Sequence, residues 1–127
     1  MNKIIIATHK NYGKGLIESA EKLTEGALEN FIFVGLEENE GIEDLVKKLS
    51  YLDYKDIFAC LVDIVGGSPS RACLEFFWNH KQVPVITGVN LPMVVESAAL
   101  YKNNDIIIGD FISRVKSVGI NSIKINK

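Results

Sequence analysis

The sequence predicts a single α/β domain with a mainly parallel, open sheet flanked by helices. Short apolar runs rich in β-branched residues alternate with amphipathic stretches along the whole chain. Such alternation is typical of parallel strands joined by crossover helices. The 127 residues, 47% hydrophobic and 24% charged, have the size and composition of one globular domain. We assume the strand order 2-1-3-4, which is common in sheets of this kind.

The first half of the chain predicts two strands, each followed by a helix. Residues 3–7 contain three consecutive isoleucines, which favour a strand over a helix. Apolar side chains then recur at helical spacing over 15–28. The second strand is predicted over 31–35, and the second helix over 42–52 after an acidic segment.

The second half repeats the pattern and adds a tail. Residues 56–62 are continuously apolar and therefore predict a third strand that is buried on both faces. Pro84 restricts the fourth strand, because proline is tolerated only at the start or at an edge. The remaining predicted elements are a helix over 70–78, a strand over 83–87, helices over 93–102 and 105–118, and a C-terminal strand over 122–126.

Charge and composition exclude several classes of protein. The chain has 14 basic and 16 acidic residues, a net charge of -2, which argues against a nucleic-acid binder with a strong overall positive field. No apolar run approaches the roughly 20 residues of a membrane-spanning helix, and the N-terminus does not resemble a signal peptide. Cys60 and Cys73 lie in apolar surroundings, which predicts reduced core thiols and a cytoplasmic location.

Two candidate site residues follow predicted strands. His9 comes after the first strand and Asp63 directly after the third. Ligands of open parallel sheets bind outside the carboxyl ends of the strands, so neighbouring first and third strands would bring the two side chains together. A carboxylate that accepts a hydrogen bond from one imidazole nitrogen leaves the other nitrogen as a nucleophile. The alternative is a loop histidine that happens to follow a strand.

The segment Gly66-Gly67-Ser68-Pro69 predicts a helix start, with Ser68 as the N-cap and Pro69 as the first helical residue. Free amides at such a terminus, together with the Ser68 hydroxyl, would bind a phosphoryl group. The alternative is a simple cap after a flexible turn. Ser68 as a hydrolase nucleophile is disfavoured because the G-x-S-x-G elbow is absent.

The sequence contains no motif typical of nucleotide or metal binding. There is no Walker A motif, and the glycines do not fit a dinucleotide fingerprint. Two histidines and two cysteines, widely separated, do not predict a metal site. We therefore expect no cofactor. His80 is interpreted as a residue at the end of a helix that is either solvated or paired with the dipole of the helix C-terminus.

Three motifs together resemble a known family. ATH after the first strand, VDIVGGSP after the third and GVNLPM after the fourth are similar to the mannose-family enzyme IIA domains. These domains belong to the bacterial phosphoenolpyruvate-dependent sugar phosphotransferase system. The motifs occur in the family's order and spacing, and the resemblance spans nearly the whole chain, so residues 1–127 are interpreted as one IIA domain.

The resemblance implies a phosphoryl carrier. The histidine-containing phosphocarrier protein would phosphorylate His9, and a IIB subunit would receive the group and serve a membrane sugar permease. Asp63 matches the carboxylate partner of that histidine, and Ser68 with Gly67 matches the phosphate-binding part. The resemblance also implies a homodimer that exchanges an antiparallel C-terminal strand, and chemistry that needs no metal, nucleotide or nucleic acid.

Two positions depart from the family pattern. Lys10 stands where the family commonly has glycine, and Arg71 where it often has asparagine. Together with Asn90, they are candidates for contacts with the phosphoryl group or a partner, although solvated surface cations are an equal alternative. The end of the chain at Lys127 leads us to expect a separate IIB subunit, unless the sequence is part of a longer protein.

Two other functions are consistent with the same residues. One is a phosphotransfer subunit of dihydroxyacetone kinase, which uses a histidine at the same place but lacks the GGSP pattern. The other is a regulatory domain that binds a partner or anion through the same pocket. The sequence does not indicate which sugar is transported.

Overall fold

The computed structural model describes residues 3–26, 28–80, 83–102 and 105–127 and has a four-stranded parallel sheet with helices on both faces. The strands lie in the order β2-β1-β3-β4, which confirms the predicted order. In chain order the elements are β1 (Lys3–His9), α1 (Tyr12–Thr24), β2 (Phe31–Leu36), α2 (Ile42–Ser50), a 3-10 turn (Tyr54–Asp56), β3 (Ile57–Val62), α3 (Ser68–Trp78), β4 (Val85–Ile86), α4 (Leu91–Tyr101) and α5 (Ile108–Asn121).

The central strands β1 and β3 form the middle of two hydrophobic cores. Successive side chains of a strand point to opposite faces of the sheet, so both faces of these two strands must be apolar. Ile5 and Cys60 pack under α2 and α3, while Ile4, Ile6 and Leu61 pack under α1, α4 and α5. All five side chains are fully buried, which confirms the prediction that the third strand is covered on both sides.

Cys60 and Cys73 are buried free thiols. Burial, together with the neighbouring thiol of Cys73, raises the pKa of Cys60. Cys60 therefore remains a protonated thiol, and both cysteines are buried core residues, as the sequence predicts. Among the described residues, no helix has both the length and the apolar character that crossing a bilayer requires.

Several element boundaries differ from the predictions. Helix α1 starts at Tyr12 rather than at 15, and it ends at Thr24 because Glu25 adopts a left-handed conformation. Position 27 of the helix predicted over 15–28 lies outside the described residues. Strand β4 has only two residues instead of five, since Pro84 lacks an amide donor, although its carbonyl still accepts a hydrogen bond from Cys60. Helix α5 starts at Ile108 rather than at 105.

The C-terminal tail is not a strand in the single chain. Residues 122–126 have no regular structure, although the sequence alternates as a strand does. Ile123 and Ile125 are 77% and 84% exposed. A strand forms only where its backbone groups find partners, and nothing in the described part of this chain pairs with the tail. The exchanged antiparallel strand therefore stays a prediction about a dimer.

Candidate functional site

The carboxyl ends of β1 and β3 meet at one edge of the sheet, which we call the carboxyl edge. His9 is the last residue of β1, and Asp63 follows β3 directly. Because β1 lies between β2 and β3, His9 is also in register with Leu36 at the end of β2. The segments that follow these three strands therefore start beside one another, with His9 on the central strand.

Asp63 holds His9 through two hydrogen bonds to a single carboxylate oxygen. Oδ2 of Asp63 lies 2.8 Å from the ring nitrogen Nδ1 and accepts the backbone N–H of His9 at 2.9 Å. Its other oxygen, Oδ1, accepts the backbone N–H of Ile64 at 3.0 Å, which fixes the carboxyl plane. An ionised carboxylate only accepts hydrogen bonds, so in the neutral form of the ring this contact places the proton on Nδ1 and the lone pair on Nε2. The His9 side chain is 45% exposed and that of Asp63 only 14%.

Gly67 packs directly against the His9 ring. A Cβ on residue 67 would lie 2.9 Å from Cε1 of His9 and 2.8 Å from Cγ2 of Ile64. Gly67 has an ordinary extended conformation, with φ of -75°, so the close approach and not the backbone angle requires glycine here. The loop after β3 thus holds its backbone against the carbon between the two ring nitrogens.

Helix α3 begins at Ser68, immediately beside His9. Gly67 is the N-cap, because its carbonyl accepts the N–H of Arg71 at 3.0 Å. The prediction that Ser68 is the cap was therefore wrong by one residue, and the Pro69 ring occupies the second helical position. Gly67 has no side chain, so the helix start has no side-chain capping bond. The first amides of a helix lack intrahelical partners and carry a partial positive charge, so this terminus is suited to an anion.

Lys10 forms the rim of the site towards β2. Its backbone N–H donates to the carbonyl of Leu36 at 2.8 Å, and its φ of 47° is left-handed. The side chain is 68% exposed, and Nζ lies 3.7 Å from Oε1 of Glu38. This lysine is therefore a solvated cation close to His9 in the chain.

The two other candidate contact residues, Arg71 and Asn90, differ in their contacts with the rest of the domain. Arg71 is exposed in the first turn of α3, and it has no ion pair with any described residue. Asn90 caps α4: its Oδ1 accepts the N–H of Met93 at 3.1 Å, and its Nδ2 donates to the carbonyl of Gly119 at 3.2 Å. Oδ1 of Asn90 is thus used to cap α4, and its Nδ2 joins the start of α4 to α5.

Two residues next to the site make supporting hydrogen bonds that the sequence did not predict. Thr8 is fully buried, and its Oγ1 accepts the N–H of Gly13 at 2.7 Å, which holds the start of α1 on the end of β1. The Tyr12 hydroxyl donates to the carbonyl of Val89 at 3.0 Å, across to the loop after β4. The only signal in the sequence was a polar residue directly before His9.

An ion pair orders the acidic loop after β2. Nζ of Lys48 donates to Oε1 of Glu40 at 2.6 Å and to the Gly35 carbonyl at 2.7 Å. The hydrogen bonds from Lys48 and from the backbone N–H of Glu37 lower the pKa of Glu40. Glu40 is therefore a structural carboxylate that orders the loop. Among the described residues, no three His, Cys, Asp or Glu side chains come together as metal ligands would.

Comparisons with known proteins agree with one another. A family model described as "PTS system fructose IIA component" matches residues 3–115. The chain is 30% identical over 125 residues to a PTS system mannose-specific EIIAB component from Escherichia coli, which covers 95% of the chain and 38% of that protein. It is 29% identical over 130 residues to a PTS system fructose-specific EIIA component from Bacillus subtilis, with 98% of the chain and 86% of that protein covered.

Solved structures have the same fold. A mannose/sorbose specific IIA subunit from Enterococcus faecalis superposes with a TM-score of 0.85 at 18% identity, over 99% of this chain and 95% of that chain. A phosphotransferase system component EIIA from Streptococcus agalactiae superposes with a TM-score of 0.82 at 26% identity, over 98% of this chain and 96% of that chain. The chain thus spans nearly all of these single-domain proteins, but little more than a third of the E. coli relative.

Proposed function

The chain belongs to the mannose- and fructose-type IIA family of the sugar phosphotransferase system, whose members are phosphoryl carriers, and from this we propose that His9 carries the phosphoryl group. The observation that carries the proposal is the 2.8 Å contact between Nδ1 of His9 and Oδ2 of Asp63. It leaves Nε2 as the free nucleophile on a side chain that is open to a partner protein.

The proposed step is an in-line transfer between two imidazoles. The Nε2 lone pair of His9 forms a bond to phosphorus, while the bond from phosphorus to the donor's ring nitrogen breaks and its electron pair stays on the donor. The donor ring, which carried a positive charge in its phosphorylated and protonated form, leaves neutral. The His9 ring gains that charge, and Asp63 stabilises it through Nδ1–H. Because proton and charge balance between the rings, the protein mainly supplies position and electrostatic stabilisation.

The phosphoryl oxygens are proposed to lie against the start of α3. Gly67 brings the backbone to the His9 ring, and the backbone amide and the hydroxyl of Ser68 are available to bind an anion. The partial positive charge of the helix terminus would stabilise the dianionic group. These features support the assignment of Gly67 and Ser68 as the phosphate-binding residues.

We also propose the partners and the assembly that the family resemblance implies. The donor is the histidine-containing phosphocarrier protein, the acceptor is a IIB domain or subunit, and transfer takes place in the cytoplasm. The name EIIAB of the E. coli relative supports a IIB acceptor. A homodimer that exchanges residues 122–126 is supported by the exposed Ile123 and Ile125 and by the short strand β4, which ends the sheet.

Intact mass measurement after incubation with phosphoenolpyruvate, enzyme I and the phosphocarrier protein tests the proposal. We expect one acid-labile phosphoryl group on the wild type and on the control variant His80→Ala, and none on His9→Ala. Addition of a IIB protein should then remove the group from the domain. A wild type that stays unmodified beside an active IIA control would refute the proposal and favour a regulatory domain or a dihydroxyacetone kinase subunit.

A further inference from the structure

Lys10 adopts a backbone conformation that disfavours any residue other than glycine. Its φ of 47° lies in the left-handed region, where a Cβ crowds the following carbonyl. The chain is held there from two sides. The Lys10 N–H donates to the Leu36 carbonyl at 2.8 Å, and the Lys10 carbonyl packs over Gly35, where a Cβ would lie 2.8 Å from its oxygen. A lysine thus occupies a strained position next to the nucleophile, and such strain in a site is a pointer to function.

The side-chain ion pair of Lys10 in the unphosphorylated domain offsets little of this strain. Its ammonium lies 3.7 Å from Glu38, and the two side chains are 68% and 83% exposed. Exposed ion pairs at this distance contribute little to stability and weaken further with salt. The pair is therefore loose, and the ammonium is able to leave Glu38 when a stronger anion is nearby.

Phosphorylation of His9 would create such an anion. A phosphoryl group adds close to two negative charges at neutral pH, beside a site that already holds Asp63. Glu38 and Glu37 lie on the β2 side, so the carboxyl edge becomes strongly negative there. The Cα atoms of residues 9 and 10 are about 3.8 Å apart, and a lysine has a flexible four-carbon stem, so its ammonium has the reach to approach this charge.

Resting on the proposed function, we propose that Lys10 is a phosphate-binding residue, which moves from Glu38 to the phosphoryl oxygens on Nε2 of His9. The lysine thereby favours the phosphorylated state of the domain over the phosphorylated state of its donor. Its role is to shift the phosphorylation equilibrium. A lysine that only guided partner docking would change the rates of transfer in both directions and leave the equilibrium unaltered.

The test is the equilibrium constant for transfer between the phosphocarrier protein and the domain. Equilibrium is approached from both directions, and the phosphorylated fractions are read by intact mass. The variants are Lys10→Gln, which removes the charge, and Lys10→Gly, which also relieves the backbone strain. Glu38→Gln frees the lysine, and Lys22→Gln is the control, because Lys22 is an exposed lysine in the last turn of α1, far along the helix from His9.

We expect both Lys10 variants to lower the equilibrium constant about two- to fivefold, the range of an exposed ion pair, with a smaller effect at high salt. Glu38→Gln should raise the constant, and Lys22→Gln should leave it unchanged. Altered rates with an unchanged constant in Lys10→Gln would overturn this inference while the proposed function stands. A wild type that accepts no phosphoryl group would refute the proposed function and this inference with it.

Discussion

The contact between Gly67 and the His9 ring can be tested with a single methyl group. In Gly67→Ala the new Cβ would lie 2.9 Å from Cε1 of His9, about 0.5 Å inside ordinary van der Waals contact. The second clash, with Ile64, is easily relieved because that side chain is 54% exposed and free to turn away. The His9 ring has no such freedom, since its movement lengthens the 2.8 Å hydrogen bond to Asp63.

Loss of that charge-assisted hydrogen bond costs about 1.5–3 kcal/mol, which corresponds to a rate of phosphorylation about tenfold to a hundredfold lower. Gly67 has a φ of -75°, which alanine adopts freely, so the unfolding free energy should change little. The assay is the initial rate of phosphorylation, followed by quenched samples and intact mass, beside urea unfolding of the same preparations.

Gly66→Ala is the matched control in the same loop. Gly66 has a φ of 77°, and a Cβ there would meet no atom within 4 Å. This variant should lose about 1–2 kcal/mol of unfolding free energy through backbone strain, with a much smaller loss of transfer rate than Gly67→Ala. A Gly67→Ala protein that transfers at the wild-type rate would refute the steric argument. Equal rate losses in both variants would show that loop conformation governs the rate.

Three further predictions concern stability. Thr8→Val keeps the shape of the side chain but leaves the N–H of Gly13 without its acceptor, so urea unfolding should show a loss of about 1–3 kcal/mol. Lys10→Gly should raise the unfolding free energy by about 1 kcal/mol because glycine adopts its positive φ freely. The pKa of Glu40 is lowered in the folded state by Lys48, so its contribution is present at neutral pH and is lost as the pH falls through the folded pKa. Glu40→Gln should therefore be less stable than wild type at neutral pH, and the difference should shrink below the ordinary pKa of a glutamate.

Much of the fold follows from local patterns in the sequence. Continuous apolar runs identify β1 and β3 because both faces of these strands are covered, and the strand order confirms the assumed topology. The proximity of His9 and Asp63 was deduced from that order rather than from spacing, since they are separated by 54 positions. The sequence pattern therefore predicts which distant residues come into contact only where the strands follow a regular order.

The predictions that the structure corrects depend on contacts between elements, which the local sequence pattern does not show. Helix α1 starts earlier than its apolar periodicity because Thr8, on another element, accepts the hydrogen bond of Gly13. The sequence suggests Asn90 as a polar residue of the site, but its side-chain amide caps α4 and donates to the Gly119 carbonyl in α5. The tail over 122–126 has strand alternation, but pairing requires an edge that the single chain does not offer to it. Each outcome depends on a tertiary partner that the local sequence does not encode.

Phosphorus NMR of the phosphorylated domain tests whether Nε2 of His9 carries the phosphoryl group, because the resonances of phosphoryl groups on Nε2 and Nδ1 of a histidine are distinct. We expect a single phosphohistidine signal of the Nε2 type in the wild type and no such signal in His9→Ala. A signal of the Nδ1 type would contradict the assignment of the Nδ1 proton to the hydrogen bond with Asp63. A phosphohistidine signal that persists in His9→Ala would contradict His9 as the carrier.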